Sequence, residues 1–379
     1  MTDRVGDRQS AGVELMAPTE QIEFRRFREE DAGAWTSFIE QCEEAWVQHH
    51  PVFVASVPYD YSFSVRIDGV IRGVCVVGRE RRRWGAYLAG PGLALLPGAR
   101  TDFVRRAVRA QLREIANSAR CEAVEFSLPP LAPANHRRAF ADSILHEYDF
   151  SEGIRWRSAW EPLPAFYSVI SLESDAETIL GDFSKGQRAS VKRCMKHGLQ
   201  PLIQTGSEVR SEDWREFVRI HEVTYARTGG SAFSPGRLEQ LLRLARLGKM
   251  VLVNGIDGGK CVTSLLLAID KGGAFYYAGG ADDEARQKGA MAWAQYAGIC
   301  WLKKNLFRHY CVGFTVPALS ETAAGGIGDF KKRFGGEHWT MLSGDLVLRP
   351  AAFAVRHHGR DVLARSAKTL LKRIRSVGQ

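Results

Sequence analysis

The chain repeats itself, and this repetition restricts its fold more than any other feature. Three segments recur in the same order in the two halves. Ala34-Trp35-Thr36-Ser37-Phe38-Ile39 aligns with Asp213-Trp214-Arg215-Glu216-Phe217-Val218, each a W-x-x-F followed by a β-branched residue in a helically spaced stretch. Val65-Arg66-Ile67-Asp68-Gly69 aligns with Val253-Asn254-Gly255-Ile256-Asp257-Gly258, and each places Asp-Gly between apolar runs, the signal of a tight hairpin. Gly85-Ala86-Tyr87-Leu88-Ala89-Gly90 aligns with Gly273-Ala274-Phe275-Tyr276-Tyr277-Ala278-Gly279. A helical stretch follows each, then a strand that ends in proline: Phe126-Ser127-Leu128-Pro129 and Phe314-Thr315-Val316-Pro317. Gly85 and Gly273 are 188 residues apart, as are Phe126 and Phe314, and the hairpin aspartates Asp68 and Asp257 are 189 apart.

An ordered set with so constant an offset reads as a tandem duplication. Each unit runs strand, helix, antiparallel strands, helix, strand, which is an α/β (α+β) layered unit with helices on a mixed, mostly antiparallel sheet. Glu161-Pro162-Leu163-Pro164 breaks regular structure and marks the junction, giving a first domain over 20–163 and a second over 164–350. The remainder, 351–379, carries seven Lys/Arg against the single acid Asp361, with Leu363, Ala367, Leu370, Leu371 and Ile374 on one helical face. That is a basic amphipathic helix, suited to an anionic membrane surface, to tRNA, or to docking on its own domain.

A length of 379 residues fits two cores better than one. The net charge of +9 favours polyanionic partners such as nucleic acid, phosphorylated substrates or an anionic membrane surface. Cys42, Cys75, Cys121, Cys194, Cys261, Cys300 and Cys311 form no C-x-x-C pair, and the expectation is reduced core thiols with neither disulfides nor a metal site. His49-His50 and His357-His358 lack ligand spacing. No signal peptide and no run of about 18 apolar residues is present, so the expected location is cytoplasmic, extending to the inner face of the membrane.

Chemistry concentrates in the second half. Lys185, Arg188, Lys192 and Lys196 recur at helical spacing with no acid among them, a stripe that could grip phosphates. Arg286-Gln287-Lys288-Gly289-Ala290 opens a helix after the aromatic strand bearing Tyr276 and Tyr277, and a helix N-terminus with exposed N–H groups favours an anion. Gly325-Gly326-Ile327-Gly328 reads as a glycine-rich loop leading to Phe330-Lys331-Lys332-Arg333-Phe334-Gly335-Gly336, where a lysine held between aromatics could stabilise an oxyanion. His221, Glu222 and Tyr225 share a helix face, with packing the favoured reading of the histidine.

The order of a basic K-x-x-R helix, an aromatic strand ending Ala278-Gly279-Gly280, a helix, and then Gly-x-x-x-F-K-x-x-F-G resembles the Fem family. Fem proteins are similar to two fused GNAT folds, so the resemblance implies two tandem GNAT-like domains over most of 20–350. It also implies an acyltransferase that moves an aminoacyl group from tRNA to an amine of a phosphorylated peptidoglycan or polysaccharide precursor. By that resemblance Lys331, beside Phe330, assists transfer at the acyl carbon. Arg188, with Lys185, Lys192, Tyr276 and Tyr277, contacts the acceptor. GNAT enzymes hold acyl-CoA at an R/Q-x-x-G-x-G/A turn, to which Arg286, Gly289 and Ala290 correspond, with Met291 at the last position. The donor is thus aminoacyl-tRNA or acyl-CoA, a co-substrate and not a tightly bound cofactor. A CoA-dependent acetyltransferase of a small amine or amino sugar, and a non-catalytic tRNA- or membrane-binding protein, stand as the competing readings. Oligomeric state is not legible.

Overall fold

The computed structural model describes residues 21–55, 59–82, 85–128, 130–131, 154–158, 165–316 and 323–349; the basic tail at 351–379 and the junction at 161–164 lie outside the described residues. Two seven-stranded sheets carry the architecture, as the repeat implies. The first half contributes β1 (Ile22–Arg26), α1 (Ala32–Gln41), α2 (Pro51–Val54), β2 (Phe63–Ile67), β3 (Val70–Arg82), β4 (Gly85–Leu95), α3 (Asp102–Ser118), β5 (Ala123–Ser127) and β6 (Ile154–Ser158). The second half contributes β7 (Phe166–Ser171), α4 (Ala176–Asp182), α5 (Lys185–Lys196), β8 (Gln200–Thr205), α6 (Ser211–Thr228) and α7 (Pro235–Arg246). It continues with β9 (Met250–Asp257), β10 (Lys260–Asp270), β11 (Gly273–Ala281), α8 (Asp283–Lys288), α9 (Ala290–Lys304), β12 (His309–Thr315), α10 (Ala323–Lys332), β13 (Glu337–Thr340) and β14 (Leu342–Val347).

The repeated motifs become equivalent elements. The W-x-x-F pairs lie on α1 and α6, where Trp35, Phe38, Trp214 and Phe217 are all buried. The Asp-Gly pairs turn the β2–β3 and β9–β10 hairpins, and Gly69, Gly258 and Gly259 take the positive φ such turns require. The strand pair β4/β5 in one sheet and its counterpart β11/β12 in the other run parallel, joined by the crossover helices α3 and α8–α9.

The boundary of the second domain is corrected at its end. β14 leaves the second sheet and enters the first between β5 and β6, giving the order β1-β2-β3-β4-β5-β14-β6 against β13-β7-β12-β11-β10-β9-β8. Ser343 to Val347 pair with Ser127 to Ala123 on one side, and Leu342 to Leu346 with Ser158 to Ile154 on the other. The strand is buried along nearly its whole length, so an unfilled slot in the first sheet would expose both apolar surface and unpaired backbone. Residues 342–347 therefore belong to the first sheet although they follow the second half in sequence.

A shared apolar cluster seals the halves further. Trp46, Val47, Val52 and Phe53 from the first half pack with Trp214, Phe217, Leu241, Leu244, Met250 and Leu252 from the second. Lys271, at the tip of the β10–β11 turn, donates to the carbonyls of Cys42 and Ala45 across the same seam. Two neutral histidines sit within it. His49 Nδ1 accepts from Trp46 N at 3.1 Å, and His50 Nδ1 accepts from Val52 N at 3.3 Å as the N-cap of α2. Burial, with Lys271 beside His49 and Lys249 and Arg243 beside His50, lowers both to about 4. Each folded pKa lies below its unfolded value of about 6.5, so the unfolded chain binds more protons between the two and stability falls as pH drops through that window. Thermal melts at pH 7 and pH 5 should show the loss, and His50→Asn, which keeps a capping acceptor but cannot charge, should make it smaller.

Candidate active site

The site is built on the parallel pair β11/β12. Gly273, Ala274 and Phe275 face His309, Tyr310 and Cys311, and there the ladder stops, although β11 continues to Ala281 and β12 to Thr315. The first sheet shows the contrast. Its ladder joins Tyr87 through Gly90 to Ala123 through Phe126. With the 188-residue offset, Tyr87 and Ala123 correspond to Phe275 and Cys311, so the first half is zipped shut where the second opens. Phe126 lies over Gly92 in that closed sheet, 2.5 Å from where a Cβ would stand.

Two irregularities open the second sheet. Gly313, with φ +116, sits at a register shift of β12 against β7, and Tyr277 bulges from β11 where its partner strand passes from Leu266 to Leu267. The gap receives Lys331 from α10. Its Nζ would lie 2.6 Å from a Cβ at Gly313, so glycine there makes room for the ammonium. Nζ donates to the Phe314 carbonyl at 3.4 Å and stands 4.9 Å from the Phe314 ring centre and 5.9 Å from that of Tyr276. Lys331 is 8% exposed, and among the described residues no carboxylate pairs with it. Burial lowers it from 10.5 to about 8. Among the described residues, one hydrogen bond and two aromatic faces leave the ammonium under-satisfied, and the Thr315 hydroxyl oxygen of β12 is buried without a partner.

The glycine-rich segment expected as a loop is instead part of α10, Ala323–Lys332. Gly328 lies against Thr315, where a Cβ would stand in ordinary contact at 3.6 Å from Thr315 Cβ, and the helix delivers Lys331 one turn later. Phe330 points into packing: its ring is 4.9 Å from Phe334, which meets Phe183 at 5.0 Å.

The other expected site residues separate. Lys185 and Lys192 are exposed on α5, while Arg188 turns back to donate to the carbonyls of Gly181 and Phe183. Tyr276 faces Lys331, strand alternation sends the adjacent Tyr277 to the opposite face, and the bulge keeps Ala278 on that same face. Arg286 is half-exposed beside Asp283 at 3.7 Å. The Gly289 N–H is taken by the Arg286 carbonyl, Ala290 is 1% exposed, and Ser190 of α5 lies against Gly289. His221 is fully buried, accepts from Phe233 N at 3.1 Å and stacks among Phe217, Tyr225 and Phe233, which makes it a packing residue.

One arginine was not singled out by its sequence context. Ser234 caps α7 and Pro235 opens it, which places Arg237 in the first turn, at the seam. Its guanidinium lies 4.3 Å from the Phe53 ring of the first half, donates to the Tyr277 hydroxyl and reaches Gln240 Oε1 at 3.2 Å. No carboxylate pairs with it among the described residues, and the Tyr59 phenol of the first half lies within its field. The Ser-Pro helix start was readable in sequence; the missing acid was not.

Residues 185–321 match the family profile of the acetyltransferase (GNAT) domain. No curated protein matches the chain. Among solved structures, FemX is similar over 88% of this chain and 99% of its own, with 12% identity and a TM-score of 0.63. L-PGS from Bacillus licheniformis is similar over 88% of this chain and 97% of its own, with 11% identity and a TM-score of 0.55. The C-terminal domain of a putative lysylphosphatidylglycerol synthetase from Agrobacterium fabrum aligns over 86% and 94%, with 14% identity and a TM-score of 0.55. At such identities the likeness is one of fold.

The buried ammonium has a measurable stability signature. The folded pKa of Lys331 lies below its unfolded value, so folding disfavours its charge at neutral pH by about 3 kcal/mol at most. Lys331→Met should raise the melting temperature at pH 7, and the gain should shrink as pH climbs from 8 to 10.5. A variant no more stable than the parent at pH 7 would mean that the lysine is not desolvated.

Proposed function

Taking the chain as a GNAT-type acyltransferase, we propose that it moves an acyl or aminoacyl group onto an amine of a phosphorylated cell-envelope precursor. The observation that carries this reading is Lys331: a buried ammonium with no carboxylate partner among the described residues, held in an opened strand pair. An unpaired positive charge there is complementary to a negative charge that exists only during reaction. When the acceptor amine adds to the donor carbonyl, the N–C bond forms and the carbonyl oxygen becomes an oxyanion, which the ammonium stabilises. Collapse breaks the ester or thioester bond, and the proton lost by the amine ends on the departing oxygen or sulfur. Lys331 remains protonated throughout, so turnover is expected to fall as pH rises through about 8.

Arg237 supports the anionic acceptor. Guanidinium groups take phosphate or carboxylate by paired donors, and this one is fixed by Phe53 and Tyr277 with no acid paired to it among the described residues. The phosphate-gripping role expected of Arg188 fits Arg237 better, because Arg188 is spent on its own approach loop. The donor stays between two classes: acyl-CoA suits the acetyltransferase profile, and aminoacyl-tRNA suits the +9 charge.

The test is a transfer assay with a phosphorylated muropeptide precursor, offering aminoacyl-tRNA and acetyl-CoA in parallel. Lys331→Ala should lower kcat by about 100- to 1000-fold with acceptor binding retained. Arg237→Ala should raise KM for the acceptor by roughly tenfold or more, with kcat less affected. Full turnover by Lys331→Ala would overturn the mechanism, and turnover with acetyl-CoA alone would assign the donor to CoA.

A further inference from the structure

The basic stripe on α5 remains after Arg188 is accounted for, and its placement is specific. The helix buries Gln187, Val191 and Cys194 against the second core. At about 100° per residue, Lys185, Lys192 and Lys196 fall within roughly 40° of one another and directly opposite that buried face. All three are exposed, as are Arg193 and, beyond α10, Arg333. None of the five has an acidic partner among the described residues. Met195, beside the ridge, is 54% exposed.

We propose that this ridge is a docking surface for an anionic lipid membrane. Three lysines project outward along about 16 Å of a straight helix, a convex line that meets a plane. Anionic lipid headgroups supply the opposite charge, at about 1 kcal/mol per lysine near the surface. An exposed flexible thioether at the edge of the ridge adds an apolar contact for the acyl boundary. Single-stranded nucleic acid is the less fitting partner, because its binding surfaces combine cations with aromatic stacking platforms, and no aromatic side chain is exposed on α5. The position also has a consequence for catalysis. Ser184 N, at the head of α5, donates to the Arg333 carbonyl at 2.8 Å, two residues beyond Lys331. A bilayer held on the ridge therefore lies next to the helix that furnishes the ammonium, whichever donor is used.

The experiment is co-sedimentation of the full chain with phosphatidylcholine vesicles, with and without phosphatidylglycerol. Binding should require phosphatidylglycerol, weaken with added salt, and fall about 100-fold in the combined Lys185→Ala, Lys192→Ala, Lys196→Ala variant. Its melting temperature should stay at the parental value, since these side chains have no partners to lose. Undiminished vesicle binding by the triple variant would overturn the proposal and place any membrane contact elsewhere. Binding of a homopolymer RNA that the triple variant loses, without vesicle binding by the parent, would reassign the ridge to nucleic acid.

Discussion

Everything distinctive about this protein depends on a positive charge held where water is excluded. A lysine ammonium leaves water reluctantly, and an unpaired one is tolerated only where the surrounding structure over-determines its place. Lys331 meets that condition through several elements at once: the bulged, glycine-containing β12, the aromatic residues Phe314 and Tyr276, and a helix brought close to the strand at Gly328. None of these features alone makes a site. Together they convert the weakest point of a parallel strand pair into a dry, electropositive gap.

The two halves show what duplication retains and what it relinquishes. Both keep the W-x-x-F helix, the Asp-Gly hairpin and the crossover, because these features pack cores. They differ where the ladder between the parallel strands lies, and that difference separates a closed sheet from an open one. The closed half nonetheless meets the open one through the seam. It supplies Phe53 to hold Arg237 and Tyr59 to stand beside it, and it accepts β14 as an internal strand. A strand shared in this way, with an apolar cluster and two neutral histidines in the seam, fixes how the two halves meet better than a linker could.

Arginine and lysine chemistry divides along solvation. Arg188 and the α5 lysines looked alike in sequence as sites for phosphate, and Arg237 did not stand out. The fold gives them three different environments: carbonyls of the preceding turn for Arg188, aromatic rings and a phenol for Arg237, and open water for Lys185, Lys192 and Lys196. Arg286 forms a fourth case, paired with an aspartate one turn away on its own short helix.

The sequence by itself determined the local structure and the duplication. Apolar spacing around Trp35 and Trp214, Asp-Gly at the hairpins, and the constant offset between halves are short-range signals, each encoded within a few residues. They were enough to reach the layered α/β class and the F-K-x-x-F segment. Tertiary structure alone decided the rest, because the remaining questions concern partners far apart in the chain. The return of β14 to the first sheet depends on a slot between strands more than 180 residues upstream. The helical state of Gly325 to Gly328 depends on β12 receiving it. Which arginine stays without an acid, and which lysine loses its water, are properties of the assembled surroundings; a side chain's own neighbours in sequence carry no record of them.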